Sequence, residues 1–138
     1  MARHLELGAA QMASVPGDLA ANFATHARLI ARGRDLGLDA LVFPELSLDG
    51  HYGAEALLDV AMHRDDTRLL DLSRAAGDME ITVGFIEEGP AAQFYNAAAV
   101  LKNGKLVYIH RKLNLPSYGR LVETKYYALG RFVDTHPM

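Results

Sequence analysis

"DALVFPELSLDG" spans Asp39–Gly50. Its first five residues, Asp39–Phe43, form a short apolar run bounded by breakers. That is the signature of a strand buried on both faces in a layered α/β domain. A proline closes the run, and a carboxylate, Glu45, follows at once. In open α/β sheets, ligands bind beyond the carboxyl ends of the strands. A charge in that place is either a solvated loop group or a group aimed at a ligand.

The flanking segments predict the rest of the layer. His4–Met12, "HLELGAAQM", alternates as a strand does. "VPGD" then breaks the chain and offers Asp18 as the N-cap of a helix over Leu19–Leu36. Leu19, Phe23, Ala27 and Ile30 are spaced to make one apolar stripe, and Gly37 suits a left-handed C′ position. A helical turn is expected around Ala54–Met62. A second full helix is expected over Asp66–Ala76, with Leu69, Leu72 and Ala76 inward and Gly77 at its end. Three β-rich runs follow: Ile81–Glu87, Tyr95–Leu101 and Lys105–Arg111. The last two flank Asn103-Gly104, a strong hairpin signal because both residues tolerate positive φ. From Leu113 onward the pattern reads as loop. The order β-α-β-α-β-β-β predicts an α/β domain with a mixed sheet.

Composition narrows the function classes. The chain has 138 residues, half of them apolar, and a net charge of −3, which fits one globular domain with no bias toward nucleic acid or an anionic membrane. No apolar run approaches the ~20 residues of a membrane helix, and the N-terminus lacks a signal-peptide core, so the cytoplasm is the expected location. The six histidines show no metal-ligand spacing; neither metal nor cofactor is expected. There is no cysteine, which excludes disulfides and a thiol nucleophile within this chain.

Three strands deliver charge near a carboxyl end: Glu45 after "ALVF", Lys112 after "LVYIHR", and Glu87 and Glu88 after "ITVGFI". A carboxylate and an ammonium brought to one rim by different strands would form a site of fixed geometry. Glu87 and Glu88 read as a solvated strand end.

"LVFPELSLDGHYG" and "YIHRKLNLPSYGRLVE" together resemble the nitrilase superfamily, the carbon–nitrogen hydrolases. The resemblance rests on Pro44-Glu45-Leu46, Arg111-Lys112, Leu115-Pro116, Tyr118-Gly119 and Glu123. The opening "LELGAAQM" and the hairpin "YNAAAVLKNGKLVYIHRK" agree, so nearly the whole chain is covered in order. The resemblance implies half of a four-layer α-β-β-α sandwich and a Glu-Lys-Cys mechanism. Glu45 matches the general base, Lys112 the cation that stabilises the oxyanion, and Glu123 a glutamate that positions lysine and substrate. Tyr118 is a further candidate for contacting or supporting the substrate. The family's cysteine lies beyond the Lys motif, so residues 1–138 are expected to be the N-terminal portion of the domain, inactive without a cysteine-bearing half. Neither Ser47 nor Ser117 is marked as a substitute nucleophile.

Two departures from the family pattern touch loops near the expected pocket. Asn114 stands where the family often has histidine, and His51 separates a Gly and a Tyr that the family places together. They leave the substrate class open. "LPSYGRLVE" is similar to amidase members and to the glutaminase domains attached to NAD synthetases, which favours an amide over a nitrile. Expected partners are a small amide or nitrile and either a complementary C-terminal half or further copies of the chain. The competing function is a non-catalytic fragment serving as an assembly module. Half a sandwich exposes an apolar sheet face, a surface a monomer rarely tolerates.

Overall fold

The structure, a computed structural model, describes residues 4–50, 57–119 and 121–132. The elements run β1 (Leu7–Ala9), α1 (Leu19–Asp35), β2 (Ala40–Val42), α2 (Leu57–Val60), α3 (Thr67–Ala76), β3 (Glu80–Glu88), β4 (Phe94–Lys102), β5 (Lys105–Arg111), β6 (Ser117–Tyr118) and β7 (Leu121–Val122). β1 to β5 form one sheet in chain order. β1, β2 and β3 are parallel, joined by helical crossovers. β4 and β5 return antiparallel, so the sheet is mixed, as expected.

Local chemistry sets the element ends. The Asp18 side chain accepts the Ala21 N–H at 2.9 Å and so caps α1, and Asp66 caps α3 by accepting from Arg68 N–H. Asn103 and Gly104 both have positive φ, at 52° and 72°, which matches the twist of the β4–β5 hairpin. The first strand is shorter than the alternation predicts, though Ala10 N–H still donates to the Val42 carbonyl. The segment after Leu113 is not all loop: β6 and β7 pair, and Glu123–Lys125 make a 3-10 turn. The helical turn near Ala54–Met62 is observed as α2, and residues 51–56, including His51, lie outside the described residues.

α1 and α3 cover one sheet face. Ile81, Val83 and Phe85 of β3 and Ala97, Ala99 and Leu101 of β4 point toward Ile30 of α1 and Leu69, Leu72 and Ala76 of α3. α1 is turned from its expected stripe. Its buried residues are Asn22, His26, Ile30 and Gly33, while Leu19 and Phe23 flank them and Ala27 is exposed. Periodicity of apolar residues cannot reveal a face made of hydrogen-bonded polar groups. On the opposite face the register aligns Val42, Thr82, Val100 and Tyr108 in one row and Gly84, Ala98 and His110 in the next. Val42 there is 50% exposed. A second, smaller cluster of Leu46, Leu57, Val60, Ile86 and Tyr127 closes the carboxyl end of the sheet.

Candidate active site

Glu45 is carried by an excursion from a ladder. Phe43 N–H donates to Thr82 O at 2.8 Å, and the next bond to the same strand, at Gly84 O, comes from Leu48 N–H at 3.0 Å. The acceptors are two residues apart and the donors five, so Pro44–Ser47 arch out of the strand. Proline suits the break because it has no N–H to leave unpaired. Leu46 pays for the arch with a left-handed φ of 49°, unusual for a branched aliphatic residue, and its buried side chain anchors the strained turn.

The arch lies on the open sheet face, over Gly84. A Cβ on Gly84 would stand 2.5 Å from both Pro44 O and Leu46 N. The missing side chain therefore lets the arch rest on the sheet and carries Glu45 past β3 toward β4 and β5. Lys112 comes from the end of β5, where its N–H donates to Asn96 O at 2.8 Å and continues the ladder. Glu123 follows β7 and opens the 3-10 turn, held by its own N–H to Pro116 O at 2.9 Å.

These three side chains meet. Lys112 Nζ donates to Glu45 Oε1 at 2.6 Å and to Glu123 Oε1 at 3.1 Å, and Glu123 Oε2 lies 3.0 Å from the same ammonium. Asn96, which no motif in the sequence marks, donates from Nδ2 to Glu45 Oε1 at 2.6 Å. Glu45, Asn96 and Lys112 line a cleft of about 320 Å³ with Val42, Thr82, Gly84, Ala98 and His110. Glu45 is 46% exposed, so the carboxylate faces solvent in the cleft. Burial pulls the Lys112 ammonium pKa down, but its bonds to Glu45 and Glu123 outweigh that and hold it above its ordinary value. Partly exposed ion pairs of this kind stabilise a fold by only about 0–1 kcal/mol, so three charged groups gathered at one rim are poorly explained as a stability device.

Buried polar groups brace the arch from below. Asn22 holds Val15 N–H and both the Val15 and Leu48 carbonyls. His26 Nδ1 contacts Asn22 O at 2.7 Å; a carbonyl only accepts, so Nδ1 carries the proton and Nε2 accepts the Ser47 hydroxyl at 2.9 Å. Desolvation lowers the His26 pKa, against an opposing backbone bond, and the ring stacks on Phe43 at 4.2 Å. The Ser47–His26 pair is fully enclosed and serves as a strut, not a nucleophile. Asp49 accepts Ile86 N–H at 2.7 Å with Oδ2, while its buried Oδ1 has no hydrogen-bond partner among the described residues. Burial pushes its carboxyl up to about 7.

The reading of Glu87 as a solvated strand end is corrected. Glu87 is 0% exposed and accepts from Arg64 Nε and Nη2 at 3.0 and 2.6 Å, and from Arg111 Nε and Nη2 at 2.6 and 2.9 Å. Burial pushes its carboxyl up, and the two guanidinium groups outweigh that and leave it below the usual range. Arg111 also lies 3.8 Å above the Tyr95 ring. Strand alternation sets this pair on the helix-covered side while Lys112 faces the cleft. Glu88 stays at the rim, 3.7 Å from His63. Tyr118 sits on β6, 72% exposed. Among the described residues no cluster of His, Asp and Glu could hold a metal ion, and no helix is long and apolar enough to cross a membrane.

Comparisons with known proteins bear on the family and the fold. The glutamine-dependent NAD(+) synthetase of Thermotoga maritima is 33% identical over 131 residues, which cover 93% of this chain and 22% of that protein. The solved synthetase of Acinetobacter baumannii superposes with a TM-score of 0.74 at 28% identity, covering 89% of this chain and 23% of the other. An amidase from Nesterenkonia sp. superposes with a TM-score of 0.77 at 20% identity, covering 94% of this chain and 49% of that one, a likeness of fold. The chain thus spans under a quarter of the synthetase lengths and about half of the amidase. Residues 6–136 match the family described as carbon-nitrogen hydrolase. Fold, motif order and this match over nearly the full length lead to one assignment: the chain belongs to the carbon–nitrogen hydrolase family.

Proposed function

We propose that this chain supplies the base and the oxyanion-stabilising cation of an amide-hydrolysing site whose thiol comes from a cysteine-bearing C-terminal half. The observation that carries the proposal is the convergence of Glu45 and Glu123 on the Lys112 ammonium, at 2.6 and 3.1 Å, beside a cleft that Glu45 and Lys112 line. Glu45 takes the thiol proton, and the thiolate attacks the amide carbon. The Lys112 ammonium stabilises the oxyanion of the tetrahedral adduct. Glu45 returns its proton to the departing amine, then takes one from the water that releases the acyl group. Glu123 fits this sequence. As the second counter-ion of Lys112, it keeps the ammonium paired and charged while Glu45 is protonated. Tyr118, exposed on the hairpin that leads into Glu123, is kept as a candidate for contact with substrate. In a Glu-to-Gln mutant of the Nesterenkonia amidase, acrylamide adds to the active-site cysteine, which supports a thiol nucleophile in this fold.

The carboxamide of glutamine is the first substrate to test, because the relatives at about 30% identity are named as glutamine-dependent. The partly exposed sheet face around Val42 offers the complementary half a surface. The test is ammonia release from glutamine and from small aliphatic amides. It is measured for the chain alone and for the chain assembled with a cysteine-bearing half. Activity only in the assembly, lost in Glu45→Gln and Lys112→Met, is expected. An assembly that forms and leaves every amide intact, or a rate indifferent to Glu45→Gln, overturns the reading. In that event the chain is an interaction module.

A further inference from the structure

Glu45 is a half-exposed side chain on a strained arch, so packing does little to fix its carboxylate. The terminal torsion of glutamate is broad and roughly two-fold. Hydrogen bonds must therefore do the orienting. Two donors converge on one oxygen: Lys112 Nζ and Asn96 Nδ2 each lie 2.6 Å from Glu45 Oε1. Because the partner is a carboxylate, only the amide nitrogen of Asn96 can face it. Asn96 is 4% exposed and sits in β4 opposite Ile86 of β3. Its own carbonyl accepts the Lys112 N–H at 2.8 Å. One residue thus grips the carboxylate through its side chain and the strand bearing the ammonium through its backbone.

We infer that Asn96 is a positioning residue, setting the orientation of Glu45 relative to Lys112. This rests on the role given to Glu45 under Proposed function. The chemistry of the position is narrow. Aspartate would set a like charge against Glu45, and alanine would remove one of the two donors that lie 2.6 Å from Oε1. Unlike either, asparagine adds a neutral donor, which steadies the base without adding to the cation's field.

The test has a spectroscopic and a kinetic arm. In the full 138-residue chain, the Asn96 side-chain amide resonances should shift in Glu45→Gln, and in the unsubstituted chain they should titrate together with the Glu45 carboxyl carbon. In the assembled hydrolase, Asn96→Ala should lower kcat about tenfold to a hundredfold, as small misplacements of a reacting group do, with KM nearly unchanged. Asn96→Asp should be at least as damaging despite its matching shape. Asn96 resonances that ignore Glu45 overturn the inference, and so does an Asn96→Ala enzyme that loses thermal stability while keeping kcat. If Asn96→Ala fails to fold, the Glu45→Gln spectrum decides, since that substitution alters an exposed group. A protein that hydrolyses no amide while the Asn96–Glu45 coupling persists removes the hydrolase reading and leaves the positioning intact.

Discussion

Gly84 lies directly beneath the backbone of Glu45: a Cβ on Gly84 would stand 3.0 Å from the Glu45 carbonyl carbon and closer still to the atoms on either side. The arch that presents the carboxylate rests on a strand residue that has no side chain. Fold and site therefore depend on the same few ångströms.

Gly84→Ala should cost about 1–3 kcal/mol as overpacking, because the clash is with backbone that cannot swing aside. It should also lift Glu45 away from Asn96 and Lys112, so under the proposed function ammonia release by the assembled protein should fall more steeply than stability. Gly37→Ala is the control. Gly37 has φ of 71°, and a methyl group added there would meet nothing within 4 Å, so the change should cost about 1 kcal/mol of backbone strain and leave activity unchanged. Urea melts beside rate measurements check both. Equal activity losses in the two variants would refute the packing argument.

Removing Glu87 strands two guanidinium groups. Arg64 is about half exposed and can rehydrate, whereas Arg111 is mostly covered and stacked on Tyr95. Glu87→Gln should therefore sit near the low end of the range for breaking a buried pair, about 3 kcal/mol. Arg111→Lys should also destabilise, since an ammonium cannot reproduce the two-pronged contact. Chemical denaturation of both variants tests this, and a neutral Glu87→Gln would mean the pair is solvated.

Asp49 should make stability depend on pH in the direction opposite to a salt-bridged carboxylate. Its carboxyl lies at about 7 in the fold against 3.8 when unfolded, so between these values the native state binds more protons. Its stabilising contribution is full below about pH 3.8 and is lost as pH rises through about 7. Nearby Tyr127, pushed up to about 12 by burial and then by Asp49, Glu123 and Glu45, stays neutral across this window. Asp49→Asn should flatten the thermal midpoint between those pH values, and an unchanged slope would assign it to another group.

Lys112 should matter for stability at alkaline pH. Its folded pKa is raised above 10.5, so the ion pairs contribute fully below about 10.5 and fade as pH climbs through the higher folded value. At neutral pH, Lys112→Met leaves Glu45 and Glu123 without their shared cation and should cost up to about 1 kcal/mol, the scale of a part-exposed pair. The gap between variant and parent should close in strong alkali. A constant gap would mean that lost packing, not charge, is responsible.

Much of the layered fold was legible from local chemistry. Asp18 and Asp66 cap the predicted helices, Asn103-Gly104 makes the predicted hairpin, and Leu69, Leu72 and Ala76 face inward. Two of the misses share a cause. The buried face of α1 runs through Asn22 and His26, and Glu87 is enclosed by arginines from distant segments. A polar residue signals burial only once its partner is known, and the partners are up to 26 residues away in the chain.

By itself, the sequence determined the order of strands and helices as far as β5, the turns between them, and the residues Glu45, Lys112 and Glu123 as site candidates. These follow from interactions within a few residues or from motif wording. That Pro44–Ser47 arch over Gly84, that Asn96 grips Glu45, and that Arg111 and Lys112 serve opposite faces of the sheet were decided by tertiary structure alone. The reason is physical. A carboxylate is oriented by donors 51 and 67 residues further along the chain, and only the register of β3, β4 and β5 brings them within hydrogen-bonding distance of it.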